Sequence, residues 1–93
     1  MSRRIFRLAE VKLATGLSRS TIYLRISQGE FPKPISLGGR SVGWPSGEVA
    51  ALNAARISGK TDEEIRSLVN SLETDREKVF ANLIRAVMSS QED

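Results

Sequence analysis

The chain has 93 residues, 40% apolar and 27% charged, with no cysteine, no histidine and a formal net charge of +3. That length predicts one domain with one appended helix, and the missing residue types exclude a disulfide framework, a thiolate or imidazole metal site, and catalysis by a thiol or an imidazole base. No apolar run approaches the ~20 residues of a membrane span, and the basic N-terminus has no apolar core behind it to make a signal peptide, so a soluble cytoplasmic protein is expected.

Charge is unevenly spread. Residues 1–44 carry eight Lys/Arg against two Asp/Glu, whereas residues 45–93 carry six against nine. A basic front half and an acidic rear half suit a polyanion-binding module joined to a segment that does not bind the polyanion.

Met1 to Arg7 reads as short, basic and extended, with Ile5 and Phe6 tucked under the first helix. Arg3 and Arg4 are placed to lie along a phosphate strand or to enter a minor groove. A frayed, solvated terminus is the plainer alternative. Leu8 to Ala14 forms the first helix, with Leu8, Val11, Leu13 and Ala14 on its buried side and Lys12 available to a phosphate. Gly16 sits where that helix should stop, since glycine tolerates a left-handed turn. Ser18 then caps a second helix through residue 26, and Leu17 and Ile22 can pack together as a hydrophobic staple. Ser18, Arg19, Ser20 and Thr21 are left at its exposed N-terminus. This is the layout of a helix-turn-helix recognition helix, although an ordinary helical hairpin with a polar cap has the same pattern.

Gly29 ends the second helix, and Phe31-Pro32-Lys33-Pro34 is held extended by its prolines. Residues 35–37 and 40–44 alternate as two short strands around a Gly38-Gly39 reversal, which predicts a two-stranded wing. Leu37, Val42 and Trp44 are its expected inward-facing residues. Trp44 reads as core, whereas Arg40 at the tip is placed for a phosphate or minor-groove contact. Ser46 is the expected cap of a third helix, with Glu48 near its positive end and Val49, Leu52 and Ile57 on its apolar side.

Thr61-Asp62-Glu63-Glu64 has capping-box form and opens a long apolar stripe. Ile65, Leu68, Val69, Leu72, Val79, Phe80, Leu83, Ile84, Val87 and Met88 keep helical spacing, with Arg76 preserving the phase across an acidic stretch. One interrupted helix and two separate helices both fit. The stripe either folds onto the front domain or pairs with a second copy, making residues 62–90 a candidate homodimer surface. The expected fold is therefore mainly α with a small hairpin: a winged helix-turn-helix domain over residues 1–59 and a C-terminal helical extension over 60–93.

Several blocks resemble the AlpA family of prophage regulatory proteins. They are Arg7-Leu8 with Glu10-Val11, residues 15–23, residues 29–34, Leu37-Gly38-Gly39-Arg40, Val42-Gly43-Trp44 and Ser46-Gly47-Glu48-Val49. The resemblance spans roughly residues 5–56 and implies a MerR-like winged-helix DNA binder. Such a protein acts as a transcriptional regulator, often of an integrase gene, or as a recombination directionality factor (excisionase). It also implies that Ser18, Arg19, Ser20, Thr21 and Tyr23 lie on the recognition helix, and Lys33, Arg40 and Ser41 on or beside the wing. After Tyr23 the family has a basic and then an apolar residue. Here Leu24-Arg25 reverses that order, so Arg25 emerges about 100° further round the helix.

The expected partner is double-stranded DNA, with integrase as an implied second partner, no cofactor, no metal and no membrane, on the nucleoid of the cytoplasm. Arg19 is the candidate base contact. Arg3, Arg4, Lys12, Lys33 and Arg40 are candidates for phosphate contacts. A protein–protein adaptor whose basic half meets an acidic partner is the alternative.

Overall fold

The computed structural model describes residues 4–90. In order, the elements are β1 (Ile5–Phe6), α1 (Leu8–Thr15), α2 (Arg19–Ser27), β2 (Ile35–Ser36), β3 (Val42–Pro45), α3 (Ser46–Ile57) and α4 (Asp62–Ser90). The architecture is a winged helix-turn-helix followed by a long C-terminal helix.

Local chemistry sets the turn between α1 and α2. Gly16 adopts φ 73°, and its N–H donates to the Lys12 carbonyl, so the first helix ends in a left-handed residue that a side chain would strain. The Thr15 hydroxyl donates to the Val11 carbonyl at 2.7 Å and accepts the Leu17 N–H at 3.2 Å. Ser18 accepts the Thr21 N–H at 3.2 Å, which is the predicted cap. At the far end of α2, Glu30 N–H returns to the Arg25 carbonyl and Gly29 N–H to that of Ile26, closing a Schellman turn.

The wing holds one strand more than the hairpin read from the sequence. Ile5 and Phe6 pair antiparallel with Pro45 and Trp44, giving the strand order β1-β3-β2. Ile5 and Phe6 therefore edge the sheet and do not simply tuck beneath α1. Gly43, in the central strand, is held to glycine by space. A Cβ there would lie 2.5 Å from the Ile5 side chain, 3.0 Å from the Phe6 carbonyl oxygen and 3.2 Å from Leu37. Gly43→Ala should therefore cost about 1–3 kcal/mol by overpacking, read as a lowered thermal midpoint. A change within 0.5 kcal/mol, the level of ordinary surface substitutions, would mean that β1 does not press on this strand.

The core gathers Val11, Ile22, Phe31, Trp44, Val49, Leu52, Ile65 and Val69, all buried, from every helix and the sheet. Burying Trp44 requires a partner for its indole N–H, which donates to the Pro32 carbonyl at 2.9 Å. The chain positions 59 and 60 fall between α3 and α4, and the core takes side chains from both sides of that point.

Four side chains read as inward face outward, Ala14 on α1 among them. Leu13 is 86% and Ile57 87% exposed, because about 100° per residue carries Leu13 roughly 200° round α1 from Val11 and Ile57 roughly 140° round α3 from Leu52. Leu37 is 42% exposed, beside the open wing tip. Ser46 is the first helical residue of α3 rather than its cap. Pro45 holds the cap position, and the Ser46 N–H donates to the Arg4 carbonyl at 2.8 Å.

α4 is one continuous helix. Its capping box forms in both directions, with Thr61 N–H to Glu64 Oε1 at 2.9 Å and Glu64 N–H to Thr61 Oγ1 at 3.1 Å. The bonds from Thr61, backbone first and hydroxyl second, with Lys60 adding its charge, hold the Glu64 carboxyl below its ordinary value of 4.5. A depressed carboxylate contributes stability above its unfolded value and loses it as pH falls through the folded one. The first turn of α4 is thus expected to loosen below pH 4.5, seen as faster exchange of the Thr61 amide. Glu64→Gln should remove that pH dependence.

Past the cap, Ile65, Leu68, Val69 and Leu72 seat α4 on the core. Glu73 accepts the Lys33 N–H at 2.8 Å. Arg76 makes a two-pronged bond to Glu48, 2.8 Å through Nε and 2.6 Å through a terminal nitrogen, and also donates to the Lys33 carbonyl at 2.7 Å.

Candidate nucleic-acid interface

α2 presents three sides. At about 100° per residue, Ile22 and Ile26 face the core, while Ser20, Leu24 and Ser27 point away from it. Arg19 and Tyr23 occupy the flank toward the sheet. The Arg19 guanidinium lies 5.4 Å over the Tyr23 ring, and that ring meets Trp44 edge-on with centroids 6.3 Å apart. Tyr23 thus links Arg19 to Trp44 of β3, and the same Trp44 anchors Pro32, next to Lys33.

Ser18 and Thr21 are partly committed to each other. The Ser18 hydroxyl donates to Thr21 Oγ1 at 3.0 Å while capping the helix. The N–H groups of Arg19 and Ser20 have no acceptor among the described residues, which leaves the positive end of α2 open to an anion.

Arg25 is not beside Arg19. It lines a groove on the opposite flank with Thr15, Leu17, Glu30, Asn53 and Arg56. Leu24 takes the outward position instead and is 56% exposed. Sequence reasoning passed over it as an apolar residue out of order, although its place about 200° from Ile22 was available from helical spacing.

At the wing tip, Gly38 and Gly39 have φ of 102° and 56°. Ser41 closes the loop through its backbone, accepting the Leu37 N–H at 2.8 Å and donating to the Gly38 carbonyl at 3.0 Å. Arg40 projects from this loop, exposed. Lys12 and Lys33 are exposed too. Arg4 is engaged but accessible, bonding Glu10 at 3.1 Å and stacking 5.5 Å over Phe6. Arg3 lies outside the described residues.

The two halves of the molecule use their cations differently. Arg56, Arg66 and Arg76 are all matched by carboxylates, with Glu30 serving the first two and Glu48 the third. Among the described residues, no carboxylate lies within 4 Å of Lys12, Arg19, Lys33 or Arg40. Unmatched positive charge falls on α1, α2, the wing and Arg7 at the head of α1, with Arg25 on the other flank and Lys60 and Arg85 behind. Among the described residues there is no cluster of acidic side chains suited to a metal ion, and no helix is long and apolar enough to cross a membrane.

The profile of the family described as "Prophage CP4-57 regulatory protein (AlpA)" matches residues 4–56. A protein of Enterobacteria phage P4, "Uncharacterized protein ORF88", is 53% identical over 57 residues, which is 61% of this chain and 65% of the phage protein. The chain therefore matches just under two thirds of that relative's length. No solved structure matches it. The family match takes in β1, both helices of the turn, the wing and nearly all of α3, and on it the chain belongs to the AlpA family of prophage regulatory proteins.

Proposed function

We propose that this chain is a sequence-specific double-stranded DNA-binding protein of a prophage or integrative element. In that reading it acts as a recombination directionality factor (excisionase), as a transcriptional regulator of the integrase gene, or as both, on the nucleoid of the host cytoplasm, with integrase as its protein partner. Binding, not catalysis, is its work. One observation carries the reading: Arg19, Arg40, Lys12 and Lys33 stay unmatched while Arg56, Arg66 and Arg76 behind them are neutralised.

In this mechanism the N-terminal turn of α2 enters the major groove. Arg19, steadied by Tyr23, bonds a guanine edge, and Leu24 meets a thymine methyl. Ser18, Ser20, Thr21 and the open N–H groups of α2 take the adjoining phosphates. The wing lies along the neighbouring backbone or minor groove, where Arg40 and Lys33 supply attraction and Ser41 shapes the loop. Lys12 and Arg4 extend the phosphate contacts, and Arg3 is assigned with them from sequence alone. Releasing Arg4 from an exposed pair with Glu10 costs little. Arg25 reaches only a flanking phosphate.

The test is fluorescence anisotropy against a duplex from the flanks of the gene and a random duplex, across a salt series. Preference for the native duplex that survives rising salt supports the reading. Equal and steeply salt-dependent binding to both would reduce it to a generic polyanion surface. No binding at low salt would move the assignment to an adaptor for an acidic protein. Several phased sites near an attachment site would indicate excision, and one site near a promoter regulation.

A further inference from the structure

The apolar face that seats α4 on the core does not stop where the core stops. Ile65, Val69 and Leu72 are covered, Arg76 ends the contact, and the same phase then runs on through Val79, Phe80, Leu83 and Val87 in solvent, widened by Ile84 and Met88. These six are between 39% and 65% exposed. Every residue from 77 to 90 is exposed, so about 21 Å of helix stands clear of the rest of the fold.

We propose that this overhang is a contact surface for a second copy of the chain, the two faces packing against each other about a two-fold axis. The overhang continues a helix already nucleated on the core, so it stands in a single copy, and a partner adds stability by covering its amphipathic face. A contiguous apolar patch of this sort marks an interaction site, whereas singly scattered hydrophobics do not.

Charge selects the occupant. From 79 to 90 the one charged residue is Arg85, which lies about 150° round the helix from the middle of the stripe. At the base of the overhang, Lys78 is paired with Asp75 on the same helix at 3.2 Å. The face has no charge to match an acidic or basic partner and none to repel its own copy. Area sets the strength: ordinary stable interfaces bury about 800 Å² per partner over 20–30 residues. This face is shorter, so the pair is reversible, with dissociation in the micromolar range. The inference stands apart from the DNA-binding reading.

Sedimentation velocity on the full chain, from about 1 to about 500 µM, tests it across the span where micromolar dimers form. The mass should rise from 10.2 kDa toward twice that value. Leu83→Glu should stay monomeric throughout, with an unchanged far-ultraviolet spectrum because Leu83 is half exposed in the single copy. Arg85→Glu should dimerise like the wild type. A monomer at every concentration, leaving the face to a different protein, would overturn the proposal. So would a dimer that survives Leu83→Glu, a dimer lost in Arg85→Glu, or growth beyond two copies.

Discussion

Arg76→Ala should lower the stability of the fold by about 2–4 kcal/mol, which for a domain of this size shifts the thermal midpoint by roughly 10–25 °C. The substitution leaves Glu48, 7% exposed, as a buried carboxylate facing no cation, and strips the Lys33 carbonyl of its donor. Removing one partner of a fully buried pair costs about 3–5 kcal/mol. The Arg76 side chain keeps 24% of its surface, so water can partly replace it and the expected loss of about 2–4 kcal/mol spans the lower part of that range and a little below it. The bond to Glu48 raises the Arg76 guanidinium above its usual value. Its charge is therefore present at every working pH, and the contribution would fade only under strongly alkaline conditions. Arg76→Lys should fall between wild type and alanine, since an ammonium cannot reproduce the two-pronged geometry. Glu48→Gln combined with Arg76→Met should recover part of the loss by removing both charges together. Thermal unfolding followed by circular dichroism measures all four proteins. A midpoint for Arg76→Ala within a degree or two of wild type would mean that water already screens the pair.

Arg19→Ala should weaken the preferred DNA site by about 1–3 kcal/mol, or roughly 5–150-fold, and flatten its base preference. The change leaves the core untouched, because Arg19 is exposed and stacks over the Tyr23 ring, so its unfolding midpoint should stay close to wild type. Arg40→Ala makes the informative contrast. A phosphate contact from the wing carries no sequence information, so this variant should bind every duplex more weakly by a similar factor and reduce the salt slope by about one. Anisotropy titrations of both variants against matched and random duplexes separate the two roles. Unchanged specific binding by Arg19→Ala would show that α2 does not read the site through its first turn.

What could be read from the sequence was what neighbouring residues decide between them. The Ser18 cap, the Gly16 stop and the reciprocal bonds of Thr61 and Glu64 each lie within a few residues, and each appears in the fold as its residue types demand. The pairing of Ile5-Phe6 with Trp44-Pro45 was not legible, because two residues are too few to show alternation and the partner strand is far along the chain. Glu48 and Arg76 read as a helix-end carboxylate and a residue keeping the phase of an apolar stripe across an acidic stretch. Their meeting across α3 and α4 is a tertiary event with no local signature. Within the candidate interface, the composition of the α2 N-terminus and the wing tip identified the basic residues. Which flank Arg19 and Arg25 each occupy required the helix to be set against the sheet, whereas the outward place of Leu24 was already in the helical spacing.

Lys33 has both of its backbone groups gripped by α4, the N–H by Glu73 and the carbonyl by Arg76. The natural seam of the molecule therefore falls inside a helix, just after residue 76, and not in the loop that follows the family match. Anyone transplanting the basic face onto another protein should carry the chain through that residue. A graft cut at residue 59 would arrive with an open hydrophobic seat and a wing free to swing at its root.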